Sequence, residues 1–349
     1  MARIAFLACN KRADGYAQNS SFVYRCMNLA HGVRMHGHEA WCGHLTALPW
    51  SRHWDVAVLH RPRATWRMKA VTAWLRRRGT RVLADVDDLI IDPELAPYSP
   101  GVVNGLVKLR ATQKLFAAHK AALAYVDGVT VSTLPLQHEM RRVMPAMNVA
   151  VIPNAVHHSW WNLPLPSPDK PAPVMAYMPG TRSHDRDFAL ITPALERVLQ
   201  RHPNARLQVT GPLRLTLQAR PGQVLHRQKL PFDQYHRCFE GVSINLAPLE
   251  DSPFTRCKSA LKVMEAAWWN IPTVCADFPD AHRFDGLGAL RAKNVQAFEE
   301  HLETLLADAD ALRQHSSGLR ERVRGLADVR AQSRRWLDFA LPGRKCGTE

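Results

Sequence analysis

A chain of 349 residues is longer than one ordinary core and suits two α/β units. With 46% hydrophobic and 22% charged residues it has a globular composition, so disorder is not the default, and no apolar run is long enough to span a bilayer. The net charge of +15 favours phosphate-rich partners, yet no zinc-finger, RNP-like or recognition-helix pattern accompanies it, which argues against sequence-specific nucleic-acid binding.

The first apolar stretch, 4–7, reads as a buried strand and is too short for a signal peptide, so a cytoplasmic protein is expected. Phe22, Cys26, Leu29, Ala30 and Val33 then recur at helical spacing until Gly37. Segments 39–41, 55–59, 81–84, 128–131 and 149–152 have the length and apolar character of strands, with helices expected over 68–77 and about 105–125. Prolines 164, 166, 168, 171 and 173 break the pattern and mark a linker. The alternation restarts with strands over 174–177, 205–210, 242–246 and 273–275, and helices over 188–201 and 259–269. This predicts a first unit at 1–155, a linker at 156–172, a second unit at 173–325, and a helix and tail at 326–349 packing back on the first unit. Strand–helix alternation with buried strands implies parallel, doubly wound sheets, with a cleft between their carboxyl ends. Seven cysteines form no CxxC pair and read as reduced thiols, and the pairs His36/His38 and His157/His158 lack the companions of a metal site.

Residues 253–275 carry most of the chemistry. Ser259 is placed to cap a helix whose free N–H groups favour an anion. Leu261, Met264 and Trp268 share an apolar face, while Lys258, Lys262 and Glu265 form a separate stripe about 10 Å long. That length suits a diphosphate held by lysines and a ribose whose hydroxyls bond the carboxylate. The competing reading is an ordinary surface helix with a Lys262–Glu265 ion pair. Gly180 follows a strand and precedes a helix, where φ freedom helps a phosphate loop. His184 is placed to donate to phosphate or sugar, and Asp185 and Asp187 to cap the next helix. Asp85, Asp87 and Asp88 follow a buried strand, and their mutual repulsion should raise the proton affinity of one, making Asp87 or Asp88 a candidate general base. Glu250 and Asp251 are candidates for sugar hydroxyls.

The segment 253–275 resembles the donor-site helix of GT-B glycosyltransferases, especially glycosyltransferase family 4 and its capsule and O-antigen relatives. In their paired-glutamate motif the second glutamate aligns with Glu265, the first with Cys257, and the glycine of the following turn with Asn270, while Pro272 is kept. A subgroup with a Lys-Ser-x-x-Lys-x-x-Glu arrangement is matched by Lys258, Ser259, Lys262 and Glu265. The likeness extends in order to Arg-Val-Leu-Ala-Asp-Val-Asp-Asp-Leu at 81–89, Val-Ile-Pro-Asn-Ala-Val at 151–156 and Tyr-Met-Pro-Gly-Thr-Arg-Ser-His-Asp-Arg-Asp at 177–187.

The resemblance implies an α/β GT-B fold of two Rossmann-like, doubly wound domains facing a central cleft. It implies a nucleotide-diphosphate sugar held by Gly180, Thr181, Arg182, Lys258, Ser259, Lys262 and Glu265, with Arg182 and His184 pointing into the cleft. Asp87, Asp88 and His184 become the catalytic candidates, with transfer to a surface-glycan or lipid-linked acceptor, retention of configuration, and neither metal nor cofactor. The same cleft would serve a sugar-nucleotide epimerase or a non-catalytic subunit of a glycan assembly complex. Lys108, Arg110, Lys114 and Lys120 lie on the helix expected at 105–125, which with the net charge points to an anionic membrane surface as a further partner.

Overall fold

The computed structural model describes residues 1–9, 12–166 and 172–343, so Asn10, Lys11, Cys346 and the linker prolines 168 and 171 lie outside the described residues. Two six-stranded sheets organise the chain. The first holds β1 (Arg3–Ala8), β2 (Glu39–His44), β3 (Val56–His60), β4 (Arg81–Val86), β5 (Gly128–Val131) and β6 (Val149–Val151), ordered β2-β1-β3-β4-β5-β6. The second holds β7 (Val174–Tyr177), β8 (Arg206–Thr210), β9 (Val224–Arg227), β10 (Ile244–Ala247), β11 (Thr273–Ala276) and β12 (Ala289–Ala292), ordered β12-β11-β10-β7-β8-β9.

Every strand pairing is parallel. Helices cover both faces of such a sheet, which is why β3 is buried at all its positions and β1 at all but the first. In each sheet the chain runs outward from its first strand and then returns to that strand's other side, between β1 and β3 and between β7 and β10. Open α/β sheets bind ligands at such reversals, beyond the carboxyl ends of the strands. The register there matters: His60 pairs with Asp85 and Asp85 with Thr130, so three polar residues stand abreast where β3, β4 and β5 end.

The chain crosses back after the second sheet. The helix Val329–Ala340 packs on Leu29–Met35 in the first half, burying Trp336 and Leu337 among Ile4, Phe6 and Val33. Gly32 allows the approach, since a Cβ there would lie 2.5 Å from Ser333 Oγ and 2.8 Å from the Val329 carbonyl oxygen. Removing so large a buried indole costs about 3–5 kcal/mol in typical cores.

Periodicity misplaces two helices and misses two strands. The helix expected from 105 starts at Leu109, because Gly105 is left-handed (φ 67°) and Lys108 is still extended. The helix expected from 259 starts at Leu261. β9 is an exposed edge strand without the apolar run that betrays a central one, and β12 alternates buried and half-buried positions over only four residues.

Candidate active site

The carboxyl ends of the two sheets face each other across a cavity of about 710 Å³. Its first wall is built from the ends of β3 and β4 and from the helical stretch 20–35. That stretch opens as an α-turn, Ser20–Phe22, widens into a π-helix over Val23–Asn28, and narrows to an α-helix again at Leu29–Met35. A π-turn inserts an extra residue into the helical repeat. Tyr24 and Arg25 are both buried and each bonds a carboxylate at the site.

Arg25 grips Asp85 through Nε (3.1 Å) and Nη2 (2.7 Å), and Thr130 adds a hydroxyl at 2.7 Å. Arg61 donates Nε to Asp87 (2.5 Å) and Nη2 to Asp88 (2.7 Å). It does so from a left-handed backbone (φ 47°), a conformation that costs a non-glycine residue roughly 1 kcal/mol or more. Asp88 also receives Lys258 Nζ at 2.5 Å from across the cleft. The predicted repulsion among these carboxylates is therefore absent, because each is paired with a cation. Burial is the largest influence and raises Asp85 and Asp87, but Arg25 together with His60 for Asp85, and Arg61 together with His60 and Ser21 for Asp87, outweigh it and hold each carboxyl below its usual range. Asp87 and Asp88 do line the cavity, as expected, but Asp87 is a poor proton acceptor and Asp88 is held between two cations.

The second wall comes from the ends of β7 and β10 and from the helix Leu261–Trp268. Glu265 is buried, and its carboxylate accepts the hydroxyl of Tyr24 from the opposite half and that of Tyr235 at 3.3 Å. Burial pushes it up to about 7 against the pull of Tyr24, Lys262 and Tyr235. It makes no Lys262–Glu265 ion pair; Lys262 instead stands 5.0 Å from the centre of the Tyr177 ring. No described side chain gives the Lys262 ammonium a hydrogen bond or an ion pair, and burial lowers its proton affinity. Lys258 is not on the helix at all, so the predicted i, i+4, i+7 stripe does not exist; the two lysines reach the cavity from a loop and a helix start. Ser259 lines the cavity without capping the helix: Ala260 precedes it, with its N–H on Asp280, and Ser259 Oγ accepts from Asn154 at 2.9 Å.

Gly180 and His184 also line the cavity, with His184 Nδ1 2.8 Å from Asp187, a buried carboxylate that also accepts the Glu250 N–H. Burial lowers the His184 imidazole, partly offset by Asp187. Gly180 does not use positive φ, and a Cβ there would meet nothing within 4 Å; the glycine that the turn requires is Gly211 (φ 131°), where a Cβ would lie 2.2 Å from the Pro179 carbonyl.

Thr181 and Arg182 stand apart from the cavity that the other expected residues line. Both are exposed and neither lines the cavity, since the chain turns outward at Arg182–His184 and Arg182 pairs with Asp185 at 3.4 Å. Glu250 pairs with Arg186 and Asp251 with Arg256, so neither reaches the cavity either. Cys257, where the first glutamate was expected, is buried in the core of the first half, its thiol pushed up to about 12 by burial. Asn270 takes the left-handed conformation (φ 57°) that the glycine of the turn would supply, and its side chain accepts the Arg320 N–H at 2.8 Å. Asparagine is among the few residues that tolerate it.

Sequence reasoning missed Ser21, Tyr24, Arg25, Arg61, Lys229 and Tyr235, all on the cavity. Cleft-facing polar residues inside an otherwise apolar helix, as at Tyr24 and Arg25, were the available signal. His60, Asp85 and Asp87 offer donor atoms within 4.8 Å of one another. They do not fit a metal, because Arg25 and Arg61 already hold both carboxylates and would repel a cation.

Two doubly wound sheets with a cleft between their carboxyl ends define the GT-B fold, and solved structures of that class align with the chain. Sucrose-phosphate synthase of Thermosynechococcus elongatus aligns with TM-score 0.66 and 14% identity, over 97% of this chain and 98% of its own. HepE of Anabaena, in complex with UDP-glucose, aligns with TM-score 0.62 and 12% identity over 97% and 99%. TarM of S. aureus, in a complex that includes UDP, aligns with TM-score 0.58 and 12% identity over 82% of this chain but only 55% of TarM. Identities this low carry the fold alone. No family model and no curated relative matches the sequence.

Proposed function

We propose that the chain is a glycosyltransferase that takes its sugar from a nucleotide diphosphate bound in the interdomain cavity. The observation that carries this reading is Lys262, a half-buried ammonium that feels Asp187 and Glu265 at a distance but closes no ion pair with either, placed with Lys258 and the buried Glu265 around one cavity. A desolvated cation aimed into a cleft invites an anion. The diphosphate lies against Lys258 and Lys262, and Glu265 accepts a ribose hydroxyl in place of one of its tyrosines. Charge building on the leaving diphosphate is stabilised by the same lysines. In this reading the second unit, 173–325, holds the donor and the first, 1–155, the acceptor, a hydroxyl of a surface or lipid-linked glycan.

The family resemblance favours retention, which NMR of the first product anomer reads directly. Among the described residues no helix is long and apolar enough to cross a membrane. Reversible attachment to an anionic leaflet rests on Leu106, Val107 and Leu109, exposed beside Lys108, Arg110 and Lys114.

HepE and TarM were solved with uridine nucleotides, so UDP-sugars head a calorimetric screen that also includes GDP-, dTDP- and CMP-sugars. A transferase binds one donor and releases nucleotide faster with acceptor. An epimerase converts donor without acceptor, and binding without turnover marks a non-catalytic subunit. No binding by any donor would end the reading.

A further inference from the structure

The first wall holds one array that the donor does not use. Ser21 Oγ lies 2.9 Å from His60 Nε2, and His60 Nδ1 lies 3.2 Å from Asp85 Oδ1. Serine, imidazole and carboxylate in line at hydrogen-bond distance are the arrangement by which hydrolases activate a hydroxyl. The strand register sets it, placing His60 and Asp85 abreast, and Arg25 and Thr130 fix the carboxylate from behind. His60 is fully buried and Asp85 nearly so, whereas Ser21 is half-buried and lines the cavity. Only the serine can touch a substrate.

We propose that Ser21, with His60 and Asp85 behind it, is the relay that removes the proton from the acceptor hydroxyl, an inference that rests on the transferase reading. The acceptor oxygen bonds to the anomeric carbon on the face that the diphosphate leaves, as retention requires, while the bond from that carbon to the diphosphate oxygen breaks and its electron pair leaves with the diphosphate. The acceptor proton passes to Ser21 Oγ while the Ser21 proton passes to His60 Nε2. The imidazolium so formed lies between Asp85 and Asp87, and returns its proton through Ser21 to the solvent that refills the cavity as products depart. Ser21 is the catalytic residue; His60 and Asp85 act through it.

Three features favour this relay over direct proton capture by Asp87. Arg61 and Ser21 already engage both Asp87 oxygens, at 2.5 Å each. The Ser21 hydroxyl faces two acceptors, Asp87 Oδ2 and His60 Nε2, so its single proton can turn to either. The charges also point one way. Asp85, Asp87 and Asp88 are matched by Arg25, Arg61 and Lys258, and a diphosphate that draws Lys258 off Asp88 leaves the wall one negative charge in excess. A proton delivered from the acceptor to this wall restores the balance of charge. The groups facing the imidazole are Asp85 and Asp87 from the end of β4, Ser21 and Arg25 from the helical stretch, Arg61 next in the chain, and His119 from the helix Leu109–Ala122.

The test compares wild type, Ser21→Ala and His60→Gln, with the donor that the calorimetric screen selects. Donor affinity is measured by calorimetry, transfer by nucleotide release, and kcat/KM across pH 5–9. The relay predicts donor affinity within about threefold of wild type and kcat lower by 10²–10⁴ in Ser21→Ala, the usual worth of general base catalysis. It also predicts loss of the acid limb of the pH profile in His60→Gln. Should that buried variant misfold, Ser21→Ala decides alone, because its side chain is half-buried at the cavity edge. Transfer by Ser21→Ala within threefold of wild type, with an unchanged pH profile, overturns the relay and leaves the transferase intact. A wild type that binds no nucleotide sugar overturns both.

Discussion

Replacing Glu265 with glutamine separates what the buried carboxylate costs the fold from what it does for the donor. Burial lifts Glu265 from 4.5 to about 7, and the hydroxyls of Tyr24 and Tyr235 recover only part of the lost solvation. Between these values the folded chain binds a proton that the unfolded chain has lost, so the contribution of this group is full below pH 4.5 and disappears as pH rises to 7. At about 1.36 kcal/mol per unit, the penalty at pH 8 is about 3 kcal/mol. Glutamine never ionises and escapes it, but can accept from only one tyrosine, a loss of about 1 kcal/mol. Glu265→Gln should therefore be more stable than wild type by about 2 kcal/mol at pH 8 and no more stable at pH 4.5, while binding donor at least tenfold more weakly. Urea denaturation at the two pH values, with calorimetry of the donor, reads all three quantities. Taking the difference between variant and wild type cancels the opposite trend from Asp85 and Asp87, whose lowered values add stability as pH rises. A variant less stable than wild type at pH 8 would mean that the carboxylate is well solvated or well paired, and the ribose argument would lose its basis.

Lys262→Met removes an ammonium that makes no hydrogen bond or contact ion pair and whose burial opposes its charge, so stability should stay nearly constant while nucleotide Kd rises ten- to a hundredfold, as calorimetry and melting together would show. Arg182→Ala removes an exposed side chain outside the cavity, and donor affinity should stay within about twofold; a larger loss would place Arg182 itself in the donor site. The surface formed by Leu106, Val107 and Leu109 beside Lys108, Arg110 and Lys114 should bind anionic vesicles with an energy of about 1 kcal/mol per basic residue, weakening as salt rises. Equal, negligible sedimentation with anionic and neutral vesicles would confine those charges to solubility.

The parts of the molecule that were legible in its sequence are those whose cause is local. A parallel sheet buries both faces of its central strands, so β1, β3, β7 and β10 announce themselves as short apolar runs, whereas the exposed edge strand β9 has nothing to announce. Glu265, Lys258 and Lys262 were singled out because a known pattern ties their types to their spacing, and all three line the cavity, although the pattern suggested one helix where the structure has a loop and a shorter helix. What escaped was non-local. Arg25 finds Asp85 sixty positions away and Tyr24 finds Glu265 across 241, and no periodicity reports such pairs. The reversed expectation for Asp87 and Asp88 has the same origin, since three neighbouring carboxylates repel only if no cation folds in among them. The π-turn is the subtler case. At 3.6 residues per turn, consecutive residues such as Tyr24 and Arg25 point about 100° apart, and a reading at that period sends one of them away from the cleft. The wider turn holds one extra residue, and the helical stretch that carries Ser21 on the first wall goes on to reach Glu265 of the second wall and Asp85 of the first from adjacent positions. Tyr24 and Arg25, adjacent on this widened turn, thus tie the two walls together, and although their polar types mark them out, no residue type announces the widened turn that carries them.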